Sequence, residues 1–255
     1  MKAALVSPTS LLTHVQPFSN YHLILTYKVI YEHRYQKFYA ERSKVGDYII
    51  LDNGALEKGG RSVPLKDIVL AAVLTKPSVV VLPDYLFDSH RTLDELENAL
   101  RSPQLRFMRQ VLPNVELCAV VQGVDQDDWL ECFHILNDPR NGINALGIPK
   151  ITGQLFGHRW VALEQIRRKV KKTCHLFGVW WQDTLDDVAK ESQFSFVEGV
   201  DTPKPIRLAA HGLSLGDWSK MPRGKNFVDS SVNGIDLELL GRNCREFVEV
   251  CKGCQ

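Results

Sequence analysis

Short runs of branched apolar residues recur along this chain, separated by longer stretches in which apolar residues return every three or four positions. The short runs are His22–Leu25, Tyr48–Leu51, Val79–Leu82, Leu117–Val121, Ala145–Ile148, His175–Val179 and Phe194–Val200, with a weaker one near Asn226–Val228. Several are apolar throughout instead of alternating, as expected of strands covered on both faces. Between them the period becomes helical. Leu93, Leu96 and Leu100 share one face behind Thr92-Leu93-Asp94-Glu95, which reads as a capping box. Leu163, Ile166 and Val170 repeat that spacing, and Thr184-Leu185-Asp186-Asp187 opens a further helix. Leu240, Cys244, Phe247 and Cys251 mark a last helix spanning about 235–252. Strand–helix alternation repeated about eight times predicts an α/β protein, a (β/α)8 TIM-type barrel forming one domain over residues 1–255. A doubly wound open sheet is the rival arrangement of the same elements.

Composition narrows the classes further. With 44% hydrophobic and 24% charged residues among 255, disordered and fibrous chains are excluded. Lys plus Arg number 31 against 30 Asp plus Glu, a net charge of +1, so any nucleic-acid contact must use a local patch. No apolar run reaches the roughly 20 residues that span a bilayer. The start, Met1 to Val6, meets Pro8 too early for a signal peptide. Cysteines at 118, 132, 174, 244, 251 and 254 are too scattered for a disulfide framework. A soluble protein of a reducing compartment is expected, the cytoplasm of a bacterium or of a phage-infected host, with no membrane contact.

In a (β/α)8 barrel the chemistry sits where strands end and βα loops begin. Four runs end in polar residues that a strand does not need. Tyr48–Leu51 passes into Asp52-Asn53-Gly54-Ala55, Val79–Leu82 into Pro83-Asp84, and Ala119–Val121 into Gln122-Gly123. Phe196–Val200 passes into Asp201-Thr202-Pro203-Lys204-Pro205. A single Asp in such a place caps a helix or closes a turn. Three Asp and a Gln on one rim call for a partner, because clustered carboxylates repel. No His stands beside them at ligand spacing, so acid–base and nucleophilic chemistry fits better than metal binding.

The ordered series resembles the tRNA-guanine transglycosylase superfamily. It runs Asp52-Asn53-Gly54, Pro83-Asp84, Val121-Gln122-Gly123, Leu146-Gly147-Ile148-Pro149, His175-Leu176-Phe177-Gly178-Val179 and Asp201-Thr202-Pro203-Lys204-Pro205-Ile206-Arg207, with the core motifs over 47–210. The resemblance implies a (β/α)8 barrel and a pentosyltransferase that exchanges guanine for a 7-deazaguanine without cutting the nucleic-acid backbone. Two departures matter. The family's Asp is followed by Ser-Gly-Gly, an aromatic and Gln, whereas Leu56 stands here where the base-stacking ring is expected. The tRNA enzymes carry zinc on closely spaced Cys and a later His; Cys244, Cys251 and Cys254 have no His after them. Helical spacing assigns Cys244 and Cys251 to packing, so neither a metal nor another cofactor is expected. The short form without a zinc subdomain is similar to the DNA-modifying branch of phages and bacterial genomic islands, which inserts bases such as 7-cyano-7-deazaguanine (preQ0).

By that resemblance Asp201 is the nucleophile and Asp52 the general acid/base. Asp84 accepts hydrogen bonds from the guanine N1 and 2-amino edge, Gln122 and the Gly147 amide serve the O6 side, and Gly123 and Gly178 belong to the same substrate-binding set. Phe177 would lie against a base face. Two inversions at C1′ would retain configuration, as in retaining glycosidases. Pro203 and Pro205 stiffen the loop behind Asp201. Lys204, Arg207, Lys220, Arg223 and Lys225 against one acid, Asp217, form a local basic excess suited to phosphates. The stretch Lys28 to Lys44 interleaves Tyr31, Tyr35, Phe38 and Tyr39 with basic residues, and reads as an amphipathic helix ahead of a base-stacking surface. The expected partners are DNA, guanine and a 7-deazaguanine, with a helper protein or a homodimer as further company. A tRNA substrate and a non-catalytic barrel subunit are the alternatives.

Overall fold

The computed structural model describes residues 1–221, 227–230, 232 and 234–253. Eight strands among them form one sheet: β1 Lys2–Leu5, β2 Tyr21–Leu25, β3 Tyr48–Asp52, β4 Val79–Val81, β5 Glu116–Val120, β6 Ala145–Pro149, β7 Thr173–Phe177 and β8 Val197–Thr202. Their order in the sheet is β1-β8-β7-β6-β5-β4-β3-β2, sequence order with the first strand beside the last. Helices separate successive strands from β2 onward. This is the (β/α)8 TIM-type fold.

The chain falls into two compact units, Leu23–Pro149 with Lys169–Cys174, and Met1–His22 with Lys150–Arg168 and His175–Gln255. In the first, β3 to β6 run parallel, with Ile50 beside Val79, Val80 beside Leu117 and Ala119 beside Leu146. Every residue of 49–51, 79–82 and 117–121 is buried, which explains why these runs do not alternate. Each Val, Leu or Ile side chain among them contributes roughly 1.5–3 kcal/mol by leaving water. The helices Leu65–Thr75, Ser89–Arg101 and Gln126–Leu136 follow β3, β4 and β5.

In the second unit β1 pairs in parallel with β8, with Ala4 opposite Asp201. The helix Leu237–Lys252 buries Leu240, Cys244, Phe247 and Cys251, the stripe expected from the sequence. Asp236 caps its first turn and Gly253 ends it at φ +72°. Burial pushes the Cys244 and Cys251 thiols up to about 12, so both serve as core residues.

Several elements differ from the sequence reading. β1 is absent from it, because Ala3 and Ala4 carry no β-branch and four residues give no period. In place of the strand near Asn226–Val228, Phe227–Asp229 forms a 3-10 turn, with Asn226 outside the described residues. The helix expected to start at Thr92 begins at Ser89, capped by Asp88, whose side chain accepts from the Arg91 amide. Thr92 is inside that helix, and its hydroxyl exchanges hydrogen bonds with the Tyr85 backbone. The Thr184 and Asp187 capping box is present. Val170 lies beyond the helix Arg159–Ile166. β7 stops at Phe177, because Gly178 turns to φ +67°. β8 starts late and carries Asp201 inside the strand.

Candidate functional site

Asp52, Asn53, Asp84 and Gln122 belong to the unit that holds β3 to β5, and these neighbouring strands bring three of them together. Asn53 Nδ2 donates to Asp84 Oδ1 at 2.7 Å and to the Leu82 carbonyl at 2.6 Å, while its Oδ1 accepts from Ala55 N at 3.0 Å. Gln122 Nε2 donates to Asp84 Oδ2 at 2.6 Å, and its Oε1 accepts from Phe87 N at 3.1 Å. Asp84, Asn53 and Gln122 are all buried. Burial raises the Asp84 carboxyl from 3.8 to about 6, against the opposing pull of the two amides. Each carboxylate oxygen keeps a second lone pair for a ligand N–H. Phe87 is held at φ +63°, an uncommon conformation for a bulky residue, and is 40% exposed.

Asp52 ends β3, and its Oδ2 accepts from Gly54 N at 3.0 Å. Leu56 is exposed in the loop beyond. That loop and the one after β4 are zipped together: Ser62 N donates to the Asp84 carbonyl at 3.2 Å and Leu86 N to the Gly60 carbonyl at 2.9 Å. A cleft of about 460 Å³ opens on these loops, lined among others by Lys58, Arg61, Ser62, Pro83, Glu95 and Asn98. Gly123 packs directly on the Trp129 backbone and leaves no room for a Cβ. Gly147 sits inside β6 beside Val120 and accepts from Val121 N at 2.9 Å through its carbonyl.

Asp201 belongs to the other unit. Its Oδ1 accepts from Gly178 N at 2.9 Å and meets His175 Nε2 at 3.1 Å. His175 Nδ1 lies 2.9 Å from the Tyr21 hydroxyl. A neutral imidazole satisfies the whole row, with Tyr21 donating to Nδ1 and Nε2–H donating to the carboxylate. Among the described residues no hydrogen-bond donor reaches Asp201 Oδ2. The turn that carries Gly178 is tied down by Arg159, whose Nη1 donates to the Gly178 carbonyl at 2.8 Å. Arg159 also forms a buried two-point pair with Glu191, at 2.8 and 2.9 Å. Phe177 is half-buried, its ring edge-on to His175 at 4.8 Å.

The basic patch expected from the sequence divides. Lys204 is not a surface phosphate ligand: it is buried, its Nζ donates to the Trp180 carbonyl at 2.7 Å, and it lies 4.2 Å from the Trp218 ring centre. Burial lowers its ammonium to about 8. Arg207 is half-buried, and burial lowers its guanidinium. Lys220 is exposed and paired with Asp217 at 2.8 Å. Arg223 and Lys225 lie outside the described residues, as does Cys254. In the stretch from Lys28 to Lys44, the helix His33–Lys44 buries Tyr35 and Tyr39, and buried Lys28 pairs with Glu32 at 2.6 Å, so much of that stretch is core.

Asn53 and His175 were legible inside the quoted motifs but carried no role of their own there. Tyr21 gave no signal at all, since only the fold brings it to His175, 154 residues away. Among the described residues no group of three His, Cys, Asp or Glu is placed to hold a metal ion, and no helix is long and apolar enough to cross a membrane.

The chain matches no protein-family model and no curated protein. Among solved structures it is similar to a candidate fructose-1,6-biphosphate aldolase from Coccidioides immitis, with 10% identity and a TM-score of 0.47 over 98% of this chain and 87% of that one.

Proposed function

We propose that this protein is a base-exchanging pentosyltransferase that replaces guanine in DNA by a 7-deazaguanine. The observation that carries the reading is the state of Asp201, whose Oδ1 accepts from Gly178 N and meets His175 Nε2, while among the described residues no donor reaches Oδ2. A carboxylate so held keeps its direction, which is what attack on an anomeric carbon requires. In the reaction Asp201 Oδ2 bonds to C1′ as the C1′–N9 bond breaks, and the electron pair leaves with guanine. Asp52 delivers the proton that the departing base needs. The incoming base then loses its N9 proton to Asp52 and attacks C1′ from the opposite face, and the C1′–O bond to Asp201 breaks. Asp84 accepts from the N1 and 2-amino groups of either base, and Gln122 keeps one N–H of its amide for O6. The choice of DNA follows the resemblance in the motif series.

The reading is tested with labelled guanine and with 7-cyano-7-deazaguanine, offered together with duplex DNA, single-stranded DNA or tRNA. Label should enter DNA, a denaturation-resistant protein–DNA adduct should form, and Asp201→Ala should abolish both while remaining folded. Label entering tRNA alone would change the substrate. Release of free base without incorporation would make the protein a hydrolase.

A further inference from the structure

The loop after β7 holds a feature that the reaction above does not use. Trp180 and Trp181 follow each other there, Trp180 half-buried and Trp181 46% exposed. The turn beneath them is built rigidly. Asp183 Oδ2 accepts from Trp180 N at 2.6 Å, and Asp183 N donates to the Trp180 carbonyl at 3.2 Å. The buried Lys204 ammonium binds that same carbonyl, and Trp218 Nε1 donates to the Asp183 carbonyl at 2.7 Å. Lys150 Nζ stands 5.9 Å from the Trp180 ring centre, and Lys150 N is pinned to the Phe177 carbonyl at 2.8 Å. The turn begins at Gly178, whose amide holds Asp201.

Two neighbouring indoles kept partly in water are a marked exposure of apolar surface, and a fixed turn removes the ordering entropy that binding would otherwise cost. Aromatic faces beside an ammonium match a ligand with flat π-rings and negative charge. We propose that Trp180 and Trp181 form a stacking platform for an unpaired base of the nucleic-acid substrate, with Lys150 meeting an adjacent phosphate. The assignment rests on the transglycosylase reading for its choice of ligand, and it concerns a strand-binding step separate from the chemistry.

The test is fluorescence anisotropy of a labelled ten-nucleotide single-stranded DNA on the full chain, with a labelled oligosaccharide of similar size as the second probe. Trp181→Ala should weaken DNA binding about tenfold, the order expected for one stacked base. Trp181→Phe should recover most of it, and an oligonucleotide with an abasic site at the stacked position should bind the native protein as weakly as Trp181→Ala binds the intact strand. Lys150→Ala should lower the slope of log affinity against log salt by about one. Equal binding by native protein and Trp181→Ala, or indifference to the abasic site, would overturn the platform, as would saturable sugar binding without DNA binding. Labelled-guanine exchange on the same preparations separates the two readings. Trp181-dependent binding without exchange removes the transglycosylase and keeps the platform; exchange with Trp181-independent binding does the reverse.

Discussion

Gln122 Nε2 stands 2.6 Å from Asp84 Oδ2 while Gln122 Oε1 holds the Phe87 amide at 3.1 Å, so one buried side chain couples the carboxyl after β4 to the strained residue three positions on. Replacing Gln122 by Met keeps the volume and removes both links. Asp84 then loses a donor to its charged form and titrates higher still, and Phe87 N loses its acceptor. Stability at pH 8 should fall by about 1–3 kcal/mol, and by less at pH 5, where Asp84 is largely protonated. Urea unfolding at the two pH values measures the difference; an equal loss at both would mean that the amide does not serve the carboxylate.

Asp84 itself gives the chain a stability dependence of unusual sign. Its folded value of about 6 lies above the ordinary 3.8, so between those values the folded chain binds the proton more tightly than the unfolded one. The contribution is therefore present at low pH and lost as pH rises through that window, by about 3 kcal/mol in all. Other carboxyls titrate nearby, so the comparison is native protein against Asp84→Asn at pH 4 and pH 7. The difference in unfolding free energy between the two proteins should change over that interval. A constant difference would put the Asp84 titration elsewhere.

His175 fixes Asp201 and is itself fixed by Tyr21. His175→Leu should remove the 2.9 Å hydrogen bond to the Tyr21 hydroxyl, a loss of about 0.5–1.5 kcal/mol. In the exchange assay kcat should fall by about 100-fold or more, with the KM for the base little changed, since the base is read elsewhere. Tyr21→Phe should give a smaller fall in the same parameter. An effect confined to KM would remove His175 from the positioning of Asp201.

Arg159 and Glu191 form a buried ion pair whose guanidinium also holds the Gly178 carbonyl. Breaking it from one side, as in Glu191→Leu, takes the facing carboxylate from a buried guanidinium and should cost about 3–5 kcal/mol. The double change Arg159→Met with Glu191→Leu should recover much of that stability. It should not recover exchange activity, because Gly178 has still lost its tether. Recovery of both would show the pair to be purely structural.

The strand runs that lie buried on both faces were readable because burial leaves its record in every residue, as in 79–82. The C-terminal helix was equally plain, since Leu240, Cys244, Phe247 and Cys251 repeat at its period. β1 escaped because Ala3 and Ala4 gain their strand character only from pairing with β8. Thr92 imitated a cap in sequence, while Asp88 supplied the real one with its side chain on the Arg91 amide. Proximity of Lys204 to Asp201 along the chain suggested a phosphate contact, yet the packing of Trp180 and Trp218 draws its ammonium inward.

The amino-acid order alone determined the (β/α)8 alternation and the places where carboxylates leave the strands, because periodicity and strand-end chemistry are local properties. Only tertiary structure decided what each carboxylate meets: Asn53 and Gln122 around Asp84, and Gly178 and the Tyr21–His175 row at Asp201. Those partners come from separate strands and loops, and a hydrogen bond between residues 154 apart leaves no trace in the spacing of a sequence.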